Sequence, residues 1–100
     1  NIKKLTNKEL FIFEENGKYG IIDSDGKELI KPIYDSFDIK TTKYPIIKGK
    51  YNGENVIINL ETFKDLSIKS PKKVQVYENY IISNNSYYNY NGEVIYTVGG

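Results

Sequence analysis

The chain has 100 residues, 14 of them basic (all Lys) against 13 acidic, for a net charge of +1, and it lacks Ala, Arg, Cys, His, Met and Trp. That length holds one domain with a modest core. The interspersed charge, whose longest basic runs are Lys3-Lys4 and Lys72-Lys73, excludes the basic stripe of a nucleic-acid binder; missing Cys and His exclude disulfides, thiolate metal sites and a histidine-based triad; and no apolar run approaches the ~18 residues of a membrane span.

In chain order, residues 1–10 are polar with spaced Ile and Leu, and read as an edge strand or the tail of a preceding unit. The stretch Asn16 to Asp35 organises the rest of the chain. Leu10–Phe13, Lys18–Asp23 and Glu28–Ile30 are rich in β-branched and aromatic residues and are separated by Asn16-Gly17 and Asp25-Gly26. Those dipeptides reach positive φ at least cost, as two-residue hairpin turns require, so the pattern predicts a three-stranded antiparallel meander. Pro32 cannot donate to a ladder and is expected at the strand end or on an exposed edge. Gly20, inside the middle strand, predicts a bulge or a side chain lying over the backbone. Tyr19 and Ile21 on one face with Ile22 on the other suit a strand covered on both sides.

The meander recurs. Asn16 to Asp23 aligns without gaps on Asn52 to Asn59, an offset of 36 residues. The second turn of that copy, Leu60-Glu61-Thr62-Phe63, lacks Gly and predicts a loop of three to five residues. Phe63 to Leu66 could form one helical turn. A third copy runs through Tyr80–Ser83, the turn Asn84-Asn85, Ser86–Tyr90, the turn Asn91-Gly92 and Glu93–Thr97. Its middle strand puts Tyr88 and Tyr90 on one face and Tyr87 and Asn89 on the other. The units span roughly 10–40, 44–70 and 74–98, joined by Lys40–Pro45 and Lys69–Lys73, and Gly99-Gly100 reads as a chain end. One such meander cannot cover its apolar side alone, whereas stacked neighbours share a core. The expected fold is all-β: antiparallel hairpin or meander repeats, about three units, stacked as a short solenoid-like or partly closed twisted sheet in one domain over 1–100. The chain does not begin with Met and reads as a fragment of a longer protein. Its heavy use of Ile, Asn, Lys and Tyr, residues with A/T-rich codons, suggests a bacterial source, and an exported or cell-surface location is favoured over a cytoplasmic one.

Gly17-Lys18-Tyr19-Gly20-Ile21-Ile22-Asp23, then Asp25-Gly26-Lys27, Ile30, Pro32, Tyr34 and Asp35, resembles the bacterial WG repeat, with Tyr19 at the position of its Trp. The second copy departs further, with Asn55-Val56 in place of the aromatic-Gly pair, and the third keeps only aromatics and a turn. The resemblance implies β-hairpin arrays without general enzymatic activity. Ser86 to Gly92 is also similar to the aromatic hairpins of cell-wall (choline) binding repeats, although those have a shorter period and contain Trp.

Candidate chemistry is sparse. Asp23-Ser24-Asp25-Gly26 does not extend into an EF-hand, because Ile21 and Pro32 fall at its first and last ligand positions. Its aspartates are expected to bond nearby backbone N–H groups instead. Glu14 and Glu15 are adjacent on a strand and point to opposite faces. Gly17-Lys18 has neither the spacing nor the helix of a phosphate loop. Neither metal, cofactor nor catalysis is expected. The tyrosines Tyr77, Tyr80, Tyr87, Tyr88 and Tyr90, with Tyr96, are the one feature with binding potential, since flat rings with a hydroxyl tip suit sugars or peptides; they also suit a thin β core. The function expected is therefore a non-enzymatic repeat module for protein or peptide interaction. The alternatives are a carbohydrate or cell-envelope binder using surface tyrosines, or a structural spacer. The outer strands of the terminal units are unpaired edges open to homo-association, with nearby Lys residues as guards against it.

Overall fold

The computed structural model describes residues 2–5, 9–38, 43–69 and 71–99, the first segment as backbone alone. Residues 39–42 (which include the start of the joint expected at Lys40–Pro45), Ser70, Gly100 and four of the first ten residues (1 and 6–8) lie outside the described residues. The rest is all-β. The strands are β1 (Ile2–Leu5), β2 (Leu10–Glu15), β3 (Lys18–Asp23), β4 (Glu28–Tyr34), β5 (Ser36–Asp38), β6 (Ile46–Tyr51), β7 (Glu54–Asn59), β8 (Lys64–Asp65), β9 (Gln75–Tyr77), β10 (Tyr80–Ser83), β11 (Ser86–Tyr88) and β12 (Val94–Thr97). Among the described residues there is no helix, and so none long and apolar enough to cross a membrane.

The strands form three antiparallel sheets of four consecutive strands each: β1 to β4, β5 to β8 and β9 to β12. None of them closes on itself. Three Asn-initiated turns set this pattern. Asn16 and Gly17 sit at φ 54° and 80°, Asn52 and Gly53 at 51° and 82°, and Asn84 and Asn85 at 54° and 60°. Positive φ at both central positions twists a two-residue loop with its flanking strands, and Asn enters that region more cheaply than most residues.

The second turn of each sheet is built differently. In the loop after β3 only Gly26 has positive φ, so the connection is longer than the two-residue turn expected at Asp25-Gly26. Asp23 Oδ1 accepts hydrogen bonds from the backbone N–H of Asp25 (2.9 Å) and Lys27 (2.8 Å). Asn89 repeats this with Asn91 (2.9 Å) and Glu93 (3.0 Å), and Asn59 does so with Glu61 (2.7 Å) and Thr62 (3.2 Å). Phe63, at φ 58°, closes the four-residue loop after β7 and delivers Lys64–Asp65 to β8, so the helical turn considered there does not form.

Each sheet holds four strands rather than three: in the first the added strand is β1, the edge strand that the amino-terminal residues allowed, while the added strand of the second sheet moves the unit boundary. Ser36–Asp38, expected to end the first unit, pairs with β6 through Phe37↔Gly49. Asp35 alone separates the first sheet from the second. Pro32 lies within β4, an edge strand, where its missing N–H costs no ladder bond. At Gly20 the β3–β4 register shifts, and an added Cβ would lie 2.4 Å from the Ile30 carbonyl oxygen and 2.8 Å from the Phe13 ring. The bulge and the overlying side chain are thus both present. Phe37 covers Gly49 in the same way, with a Cβ there 2.9 Å from the ring.

Paired residues of an antiparallel ladder share a face. Ile47 pairs with Ile58, and both join Leu10, Ile12, Ile21, Ile30 and Leu60 in one buried cluster. Ile46 and Ile57, on the opposite face of the second sheet, join Leu66, Ile68, Ile81 and Tyr88 in another. These four Ile side chains are 0–1% exposed. The strand covered on both faces is therefore β7 with its neighbour β6. On β3 only the Tyr19–Ile21 face is packed, whereas Ile22 is half-buried.

Two substitutions test this packing. Ile57→Ala is expected to cost about 2–5 kcal/mol in urea unfolding, as deletions from a rigid core do. Gly20→Ala is expected to cost about 1–3 kcal/mol, because backbone atoms rather than a flexible side-chain tip must move.

Candidate functional site

The third sheet carries the most developed surface feature. Tyr80 pairs with Tyr77 and Tyr87 with Tyr96, and Ile82 pairs with both Gln75 and Tyr87, so these side chains share one face. Each strand supplies one Tyr to a row that crosses the whole sheet. Tyr77 and Tyr80 have ring centroids 5.0 Å apart at 16°, Tyr80 and Tyr87 5.6 Å apart at 19°, and Tyr87 and Tyr96 5.7 Å apart at 78°. Near-parallel rings on adjacent strands stand on edge and face one another. Each such pair contributes about 0.5–1.5 kcal/mol beyond its buried area. The faces of the inner rings are spent in these contacts, leaving edges and hydroxyls for a ligand. Tyr96, turned perpendicular to its neighbour, is 61% exposed.

The other two candidate tyrosines are elsewhere. Tyr88 points to the opposite face and is buried in the cluster shared with the second sheet, so it offers no surface to a ligand. Tyr90 packs against that cluster, and its hydroxyl donates to the Tyr77 carbonyl at 2.5 Å. Its backbone carbonyl accepts from Asn59 Nδ2 at 2.8 Å, which ties the second sheet to the third. Burial, above all, pushes the Tyr90 hydroxyl above its usual pKa, and Tyr34 is raised for the same leading reason, with Asp65 and Tyr51 adding to it. The face alternation of Tyr87 and Tyr88 was visible in the sequence; which of the two faces is covered was not.

Beside the row lies a shallow groove of about 520 Å³, lined by Lys72, Lys73, Gln75, Ile82 and Tyr87 among others. The outer strand β12 has all four residues exposed and no partner on its free side among the described residues. Val94, Ile95 and Tyr96 are each more than half exposed. This apolar, Lys-free edge carries none of the charges that usually discourage pairing, and no signal in the sequence distinguishes it from a core strand. A narrower cleft of about 340 Å³ lies over the second sheet, between Phe37, Lys48, Lys50 and Asn55 and the connector residues Pro71 and Lys73. Lys48 there is 3.6 Å from Asp38.

The loop of Asp23 has no free ligand geometry. The oxygen that would meet a cation already holds two N–H groups, and Asn serves equally at the two equivalent positions, so the site needs no negative charge. Among the described residues no group of three or more carboxylates could hold a metal ion. Glu14 pairs with Tyr19 and Glu15 with Lys18 on opposite faces.

Asp35, the last residue of the first repeat motif, joins two sheets. Its Oδ1 pairs with Lys18 Nζ, its Oδ2 accepts the Gly53 N–H at 2.9 Å, and its own N–H donates to the Lys50 carbonyl at 2.8 Å. The Lys18 hydrogen bond, first, and the Gly53 N–H hold its carboxyl below the ordinary range.

Comparison with family models, with curated proteins and with solved structures gives no match.

The carboxyl of Asp35, lowered in the fold, contributes stability above the ordinary carboxylate pKa and loses it as pH falls through its own. Asp35→Asn is therefore expected to lower the Tm at about pH 7, with the gap from wild type narrowing as pH falls below the ordinary carboxylate range. The raised hydroxyls of Tyr34 and Tyr90 act in the other direction. Their contribution is complete below the usual 10 and is lost as pH rises through the higher folded values. Tyr90→Phe, lacking an ionisable group, is expected to flatten the alkaline limb of a Tm-against-pH curve.

Proposed function

We propose that the chain is a non-enzymatic β-repeat module of the WG type found in bacterial proteins, and that it acts by protein or peptide contact. Its three sheets are consecutive units of an open, solenoid-like stack. The observation that carries this reading is the third sheet: a flat row of tyrosines beside an edge strand whose apolar residues are exposed. Unpaired N–H and C=O groups along β12 are what an extended peptide needs in order to add a strand, while alternate side chains meet the Tyr row. A sugar platform requires open ring faces, and the stacking of Tyr77, Tyr80 and Tyr87 leaves few. That geometry favours a peptide over a glycan.

Selection of displayed random peptides on the folded chain tests the proposal. Extended sequences with alternating apolar residues are expected to enrich on wild type. Ile95→Lys, at an exposed site, is expected to abolish their binding while changing stability by less than about 0.5 kcal/mol. Enrichment that ignores Ile95→Lys, or no enrichment on intact protein, overturns it.

A further inference from the structure

The three sheets meet one another through opposite faces in a fixed order. The first sheet presents Leu10, Ile12 and Ile21 to the Ile47–Ile58 face of the second, and the second presents Ile46 and Ile57 to the Ile81–Tyr88 face of the third. Each sheet thus has a forward face, which receives the next sheet, and a back face, which enters the one before it. Among the described residues one of each is left over.

On the third sheet the leftover is the forward face. The cross-strand pair Tyr87–Tyr96 there has a counterpart in the first sheet. Tyr19 lies three residues after Asn16, as Tyr87 lies three after Asn84, and it pairs with Tyr34 as Tyr87 pairs with Tyr96. In the first sheet that position is covered by the second sheet, with Tyr34 5.2 Å from the Phe37 ring and 5.7 Å from that of Tyr51. In the third sheet no further sheet among the described residues covers it. The leftover back face is on the first sheet. Phe11 pairs with Ile22 at the positions 36 residues before Ile47 and Ile58, which are 0–1% exposed. Phe11 and Ile22 are only half-buried.

Resting on the repeat reading above, we propose that the tyrosine face of the third sheet is the docking surface for a second copy of this chain, which enters with the back face of its first sheet. The contact continues the pattern of the two sheet-to-sheet cores already inside the chain. The back face is mixed in charge, with Glu28 and the Glu15–Lys18 pair beside Phe11, and Glu28, whose cross-strand partner Ile22 is apolar, is the carboxylate that meets Lys72 and Lys73 in the groove beside the tyrosines. Because the two surfaces differ, the association is head-to-tail and does not close, so it grows into chains of copies rather than stopping at a dimer.

Sedimentation velocity over a concentration series is the test. Wild type is expected to show an average sedimentation coefficient that rises continuously with concentration and falls with added salt. Tyr96→Lys blocks the forward face and Glu28→Lys with Phe11→Lys the back face, and each variant is expected to sediment as a monomer. Glu28→Lys alone, at an exposed site, is expected to weaken association without disturbing the fold, which circular dichroism checks. An equimolar mixture of Tyr96→Lys with the back-face variant restores one good pair of surfaces and is expected to give dimers and nothing larger. Wild type that remains monomeric throughout, or a mixture that fails to dimerise, overturns the inference. The back-face variant leaves β12 and the tyrosine row intact, so peptide selection repeated on it reads the peptide proposal with association removed, and the two proposals fail separately.

Discussion

A sheet with isoleucine on both of its faces cannot be left half in water. Ile46, Ile47, Ile57 and Ile58 occupy two adjacent strands, and their side chains alternate to opposite sides. Each fully buried Ile contributes roughly 1.5–3 kcal/mol, a large share of the margin by which a chain of this size stays folded. The second sheet therefore requires a neighbour on either side, and the first and third sheets provide them. Neither neighbour is buried to the same degree on its outer side. The half-buried Phe11 and Ile22 at one end and the tyrosine row at the other result from that difference.

The hydrophobic layers do not fix by themselves where one sheet begins relative to the next. Asp35 does so with few atoms. It comes directly after the last strand of the first sheet, and its carboxylate reaches back to Lys18 and forward to the N–H of Gly53. Gly53 lies at the second turn position with φ 82°, a conformation that exposes its N–H to an acceptor from outside. One acidic residue thereby links the Asn-Gly hairpins of two successive sheets. Asn59 performs a related task between the second and third sheets, since its amide caps its own loop and donates to Tyr90.

Much of this architecture is legible in the sequence because its signals are local. Positive φ at Asn16, Asn52 and Asn84 is a property of the dipeptide, and a steric conflict at Gly20 arises from its place within a strand. Of the residues that open the Asx loops, Asp23 and Asn89 are legible, because an Asp-Gly or Asn-Gly pair two residues on marks each, whereas Asn59 carries no such mark. The unit boundary is not legible, because Ser36–Asp38 is a short polar-apolar-polar segment whose strand character depends wholly on β6. Tyr88 and Tyr90 cannot be told from the surface tyrosines by sequence, since a Tyr-rich strand reads the same from both faces. What separates them is the approach of Ile46 and Ile57, a contact far away in the chain. Ile95 is hidden for the opposite reason: an apolar run reads as core, and the lack of a partner strand among the described residues leaves no mark in composition.

The tyrosine row has an optical consequence as well as a mechanical one. Phenol rings held nearly parallel at van der Waals separation share their electronic excitations, and the chirality of a twisted sheet makes that sharing visible as a couplet in ultraviolet circular dichroism. The chain has no tryptophan to drain the excitation. Six of the ten tyrosines (Tyr77, Tyr80, Tyr87, Tyr88, Tyr90 and Tyr96) belong to the third unit, so tyrosine emission is weighted toward it, and a molecule that slides between those rings or pulls β12 aside would change the signal without a label.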